Sequence, residues 1–187
     1  ENYFSPIETS YLADSMAEAI LRSCIQYGPK AIETPDDYEA RANLMWNASW
    51  AINGFLDMGK PVAWSVHRME HELSAFYDIT HGVGLAILTP NWMRYVLSEK
   101  TEHRFARYGM AVWGLDASLS PRVLAETAIQ KTRDFFSSMG LPATLAEVGI
   151  GPEHFGEMAR KARTGGFDKT FVPLSAEDIV EIYRMSL

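Results

Sequence analysis

Cysteine is almost absent from these 187 residues: Cys24 stands alone, so neither an internal disulfide nor a cysteine-based zinc site can form. No apolar run approaches the roughly 18–20 residues that a membrane-spanning helix needs, and the start carries no secretory leader pattern. Basic charge is scarce too. Seventeen Lys and Arg face 24 Asp and Glu, a formal net charge of −7, with no dense cationic stripe to displace counterions from a phosphate backbone. No nucleic-acid partner, no membrane partner and a reducing, cytoplasmic setting are therefore expected. Strict apolar–polar alternation between turn residues is also missing, and β-branched residues are sparse, which argues against strands.

What remains is a globular composition, 47% apolar and 22% charged. A single domain of this length buries roughly 70% of its unfolded surface, so one all-α domain over residues 1–187 is expected. Prolines punctuate it. Ser5-Pro6 with Glu8 predicts a helix over 6–27, stopped by Gly28-Pro29, and Thr34-Pro35-Asp36-Asp37 opens one over 35–57. Ser120-Pro121 opens 121–139 with Gly140 as its stop, Pro152 a short helix to about Arg163, and Ser175 with Asp178 a last one over 176–186. Helical spacing also marks 61–77, 81–97 and 100–112, with Pro90 expected to kink or interrupt the second of these. Residues 164–173 form the longest expected loop. The stretch from Leu44 to Leu56 carries Met45, Trp46, Trp50, Ile52 and Phe55 on all sides, the pattern of a central, buried helix. Cys24 reads as a buried small apolar residue.

Three of the five histidines crowd into VHRMEHELSAFYDITHGVGLA: His67, His71 and His81. His103 and His154 stand isolated among charged residues and read as solvated. His67 and His71, four apart, share a helical face and can converge on one metal ion; they equally suit a hydrogen-bonded pair on a half-buried face. In an unbroken helix His67 and His81 would lie about 21 Å apart, whereas metal–imidazole bonds are about 2 Å, so a shared ion demands a turn between them. Asp78-Ile79-Thr80 is poorly helical and supplies it, with Asp78 or Thr80 able to cap a new helix near His81. Gly82 and Gly84 leave room beside that histidine, for a ligand or for close helix packing.

The segment HRMEHELSAFYDITHGVGLAILTPNWM resembles the metal-binding segment of the iron-containing alcohol dehydrogenases, specifically their NAD(P)H-dependent butanol dehydrogenase branch. MAEAILRSCIQYGPKAI, PDDYEARANLMWNASWAINGF and the LSAEDIVEIY ending are similar to the same branch, so the likeness runs the length of the chain. It implies a multi-helix metal-binding domain of the dehydroquinate synthase-like, iron-containing alcohol dehydrogenase fold. It also implies that His67 and His81 are metal ligands for Fe2+ or Zn2+, and that His71 is the catalytic and cofactor-binding histidine beside the nicotinamide of NADP or NAD. A primary alcohol or aldehyde substrate, Lewis-acid help from the metal and a homodimer follow from the same resemblance. The family's first two ligands, an Asp and a His four residues later, have no Asp-x-x-x-His counterpart here, nor is its glycine-rich dinucleotide-binding half present. The chain is therefore expected to be the helical C-terminal domain of a longer enzyme, with Glu1–Phe4 continuing a helix, and to be inactive alone. Trp64 and Phe76 are candidates for the substrate pocket.

Two other functions fit some of the residues. His67-Arg68-Met69-Glu70-His71 matches the H-x-x-E-H pattern of zinc metallopeptidases, with Glu147 available as a further ligand. A non-catalytic helical interaction domain would leave His71 and His81 apart.

Overall fold

The computed structural model describes residues 1–60, 64–164 and 166–187. Among these the chain forms eight α-helices and no strand: α1 Tyr11–Glu33, α2 Tyr38–Ile52, α3 Ser65–Tyr77, α4 His81–Val96, α5 Glu102–Trp113, α6 Pro121–Ser138, α7 Phe155–Thr164 and α8 Ala176–Met185. Short 3₁₀ turns cover Phe55–Asp57, Ala146–Val148 and Pro152–His154. Residues 61–63, the expected first turn of the third helix, and residue 165 of the expected loop lie outside the described residues.

Local chemistry explains most of the boundaries. The Ser120 side chain accepts from Val123 N–H ahead of Pro121, and Ser175 and Asp178 form a reciprocal capping box that starts α8. Asp37 caps α2 by accepting from Ala40 N–H at 2.8 Å, so that helix starts three residues after the expected Pro35. α4 runs through Pro90 without interruption.

Three expectations fail for identifiable reasons. α1 does not stop at Gly28-Pro29 but continues to Glu33, because Gly28 faces α6: a Cβ there would meet Met139 Sδ at 3.3 Å and Phe135 Cζ at 3.4 Å. The glycine serves close packing, not termination. Residues 1–10 are not helical; instead Tyr3 and Phe4 insert into an aromatic cluster, where Phe4 lies 4.7 Å from Phe105 and 5.9 Å from Trp92 between ring centroids. And α2 is not a buried centre. Met45, Trp46 and Ile52 are 73%, 64% and 69% exposed, because among the described residues only α1 and the following 3₁₀ turn pack against it to any extent. Cys24 is half-buried, its thiol pushed up by burial and so protonated at neutral pH.

The core lies where α3, α4, α5, α6, α7 and α8 meet, around Met69, Leu73, Leu88, Phe105, Ile129 and Ile182. Tyr183 of α8 donates its hydroxyl to the Met69 carbonyl at 2.7 Å, pinning the middle of α3. A second organising feature is ionic. Asp14, wholly buried on α1, accepts from Lys60 Nζ at 2.8 Å and Arg104 Nη1 at 2.8 Å. The same two cations hold the start of the chain: Lys60 donates to the Asn2 carbonyl at 3.0 Å, and Arg104 donates to the Tyr3 carbonyl while lying 3.9 Å over the Tyr3 ring.

Asp14→Ala leaves two buried cations without their anion, so a stability loss of about 3–5 kcal/mol is expected in chemical denaturation. Burial pushes the Asp14 carboxyl up, but hydrogen bonds from Arg104 and Lys60 outweigh it and hold the carboxyl below its ordinary range. A lowered native value means the contribution is complete at neutral pH and is lost as pH falls through the acid range below about 4, where the native carboxylate protonates. The difference in stability between the parent and Asp14→Ala should therefore shrink on acidification.

Candidate metal centre

α3 ends at Tyr77 because Asp78 takes up a left-handed conformation, φ 53°, which Asp tolerates better than most residues. Its N–H still bonds the Ser74 carbonyl at 2.9 Å, closing the last turn. Asp78 thus terminates α3 and does not open the next helix. Thr80 occupies the cap position of α4 without a side-chain cap bond; its carbonyl accepts from Val83 and Gly84 N–H at 2.9 and 3.1 Å. His81 is the first residue of α4.

The elbow brings all three histidines together. Ring centroids of His67 and His81 are 5.3 Å apart, His71 and His81 5.3 Å, and His67 and His71 6.4 Å. Two imidazoles bound to one ion at about 2.0–2.1 Å, meeting at a near-tetrahedral angle, would have centroids about 5 Å apart. The donor set fits a divalent metal such as iron or zinc. His103 is exposed on a hydrogen bond with Glu8 at 2.7 Å, and the exposed His154 stacks on Phe76 at 5.1 Å, so neither joins the cluster's three rings.

Two carboxylates complete the arrangement. Glu70 is fully buried; one oxygen accepts from Ser74 Oγ at 2.6 Å and the other contacts His81 Nδ1. Glu1 accepts from the N–H groups of Val66 and His67, at 2.6 and 3.1 Å, and its carboxylate contacts His67 Nδ1. Burial pushes the Glu1 carboxyl up, while the hydrogen bonds with His67 and Val66 pull it down. Gly84 makes room for Glu70: a Cβ there would sit 2.7 Å from Glu70 Cγ. Gly82 faces open space. In sequence Glu70 reads as a neighbour of the His67–His71 pair and as a peptidase base, not as a partner of His81, and Glu1, 66 residues from His67, gives no local signal at all.

Trp64 lies beside His67, ring centroids 4.5 Å apart, and with Ile20, Leu21, Ile52 and Leu56 lines a cavity of about 240 Å³ that reaches His67. Phe76 instead packs on His154 and under Lys161.

A helical domain with three imidazoles and a buried carboxylate gathered at a helix break offers side chains that could hold a metal ion, and Glu70, His71 and His81 can each present a ligand atom within 4.8 Å of the others. Comparison with known proteins makes this specific. Residues 1–187 match the C-terminal model of the Fe-containing alcohol dehydrogenase family, and the chain belongs to that family. It is 55% identical over 188 residues to NADH-dependent butanol dehydrogenase A of Clostridium acetobutylicum, covering 100% of this chain and 48% of that protein. Identity to probable NADH-dependent butanol dehydrogenase 1 of Bacillus subtilis is 37%, covering 100% and 48%. Among solved structures, NADH-dependent butanol dehydrogenase A from Thermotoga maritima superposes with a TM-score of 0.89 at 32% identity, covering 98% of this chain and 48% of that one. The substrate- and cofactor-free aldehyde reductase YqhD from Escherichia coli gives 0.89 at 28%, covering 100% and 49%. The chain spans about half the length of the curated relatives it matches. Its all-α architecture is that of the family's C-terminal helical domain, as the sequence predicts.

Gly84→Ala forces a methyl against the Glu70 side chain, which is buried and has little space to yield. A loss of about 1–3 kcal/mol is expected in thermal or chemical denaturation, whereas Gly82→Ala should be close to neutral.

Proposed function

We propose that this chain is the metal-holding helical part of an enzyme that transfers hydride reversibly between a primary alcohol or aldehyde and NADH or NADPH. The observation that carries this is the meeting of His67, His71 and His81 at the α3–α4 elbow in a member of the Fe-containing alcohol dehydrogenase family. In this reading His67 and His81 hold a divalent ion, Fe2+ or Zn2+, and the enzyme is a cytoplasmic homodimer. The ion, when bound, supplies Lewis acidity toward the substrate's oxygen.

The chain's own residues then have distinct tasks. His71 is exposed and, among the described residues, has only ring contacts with the other two histidines, which leaves its nitrogens available to a cofactor or to a proton. An imidazole with unengaged nitrogens suits proton transfer at the nicotinamide side. The apolar cavity beside His67 takes the alkyl chain, with Trp64 as the wall next to the imidazole. The dinucleotide's main cradle is assigned outside these 187 residues, which carry no glycine-rich phosphate loop.

The peptidase alternative is not favoured. A general base needs access to water, but Glu70 is buried with its oxygens engaged by Ser74 and His81. Glu147 is exposed and accepts from Ala143 N–H at 2.9 Å.

Metal content and NAD(P)H-dependent reduction of butanal, measured together in histidine variants of the full-length enzyme, test the reading. His67→Ala and His81→Ala should lose both. His71→Ala should lose roughly 10²–10⁴-fold in turnover, as expected for an acid–base group, while keeping its metal. A His71→Ala variant as metal-free as His81→Ala would make His71 a ligand and the assignment wrong. By themselves the 187 residues should give no turnover.

A further inference from the structure

Distances between the rings do not separate the three histidines, because His71 and His67 are both 5.3 Å from His81. Their other nitrogens do. His81 Nδ1 meets the Glu70 carboxylate, and His67 Nδ1 meets the Glu1 carboxylate. Among the described residues no hydrogen bond or ion pair joins His71 to a carboxylate, the nearer Glu70 lying within 4.8 Å of it. An imidazole whose Nδ1–H is held by a carboxylate has its ring plane and tautomer set, and presents a bare Nε2 lone pair.

Resting on the assignment of His67 and His81 as ligands, we propose that Glu70 and Glu1 are positioning residues, each accepting the Nδ1–H of one of these histidines and aiming its Nε2 at a shared ion. Glu70 is built for this task. Its side chain is 0% exposed while that of His81 is 46% exposed, so the buried carboxylate is the fixed partner and orients the more exposed imidazole. Ser74, one turn along α3, donates to its second oxygen at 2.6 Å. The absent side chain of Gly84 lets α4 close on it. The Tyr183 bond to the Met69 carbonyl anchors the backbone one residue away. Glu1 has a parallel setting: two backbone N–H groups of α3 hold its carboxylate in place under His67. A buried carboxylate without donors would be costly, and here the histidines that the site needs oriented are among the donors.

The competing arrangement has Glu70 itself on the metal. Glu70, His71 and His81 can each offer a ligand atom within 4.8 Å of the others. Zinc affinity by chelator competition on the full-length enzyme separates the two. Glu70→Ala should bind Zn2+ about 10–100-fold more weakly, the usual effect of removing a carboxylate behind a ligand histidine. Glu70→Gln, which keeps an acceptor for Nδ1–H, should retain most of the affinity. A Gln variant as weak as Ala would make the carboxylate a direct ligand and overturn the proposal, as would Zn2+ affinity unchanged in a folded Glu70→Ala. If instead His81→Ala left affinity intact, the ligand assignment beneath the proposal would be what fails. Nitrogen-detected NMR of the histidine rings at mildly alkaline pH gives a readout independent of metal. His67 and His81 are expected as Nδ1–H tautomers, with His81 changing in Glu70→Ala but not in Glu70→Gln. An Nε2–H tautomer for His81 in the parent protein contradicts the proposal.

Discussion

Two histidines fourteen positions apart can face one another only if the helix between them is broken and its two halves are pressed close. Everything else at the site depends on that constraint. Asp78 breaks the helix by accepting a left-handed backbone, and Gly84 lets the second half approach until a single methyl group would collide with Glu70. The closeness of α3 and α4 then turns Glu70 from a surface-type residue into a buried one, and its burial ties it to Ser74 and His81. Remove the break and the imidazoles are about four helical turns apart along the axis; remove the close approach and Glu70 is free to solvate.

The ionic cluster around Asp14 acts on the same site from the other side. Lys60 and Arg104 clamp the carbonyls of Asn2 and Tyr3, and this clamp keeps Glu1 beneath the first turn of α3. Buried charges of this kind are weak stabilisers compared with apolar packing, so their value lies in fixing where the segment goes. The aromatic insertion of Tyr3 and Phe4 does the rest.

Much of this was legible from residue patterns. The helical class, the caps at Ser120 and Ser175 and the break between Tyr77 and His81 follow from local spacing, because caps and turns are decided by neighbours in sequence; that the three histidines share one site was implied by the family resemblance. What was not legible depends on partners far along the chain. Gly28 looks like a stop and is a packing contact with α6; the apolar girth of α2 looks like burial, yet Trp46 and Met45 face outward because among the described residues no further helix covers that side. The first four residues look helical by analogy and instead follow Arg104, about a hundred positions away. At the site, spacing finds the imidazoles but not the carboxylates behind them, since the bond from His81 to Glu70 exists only after α4 has closed on α3.

The assignment of two oriented ligands and one free histidine is tested most directly by locating the ion. In crystals of the zinc-loaded enzyme, an anomalous-scattering peak should lie about 2.0–2.1 Å from Nε2 of both His67 and His81, with the His71 ring and the Glu70 oxygens outside bonding range. A peak bonded to a Glu70 oxygen or to His71, with His67 left off the ion, would contradict it.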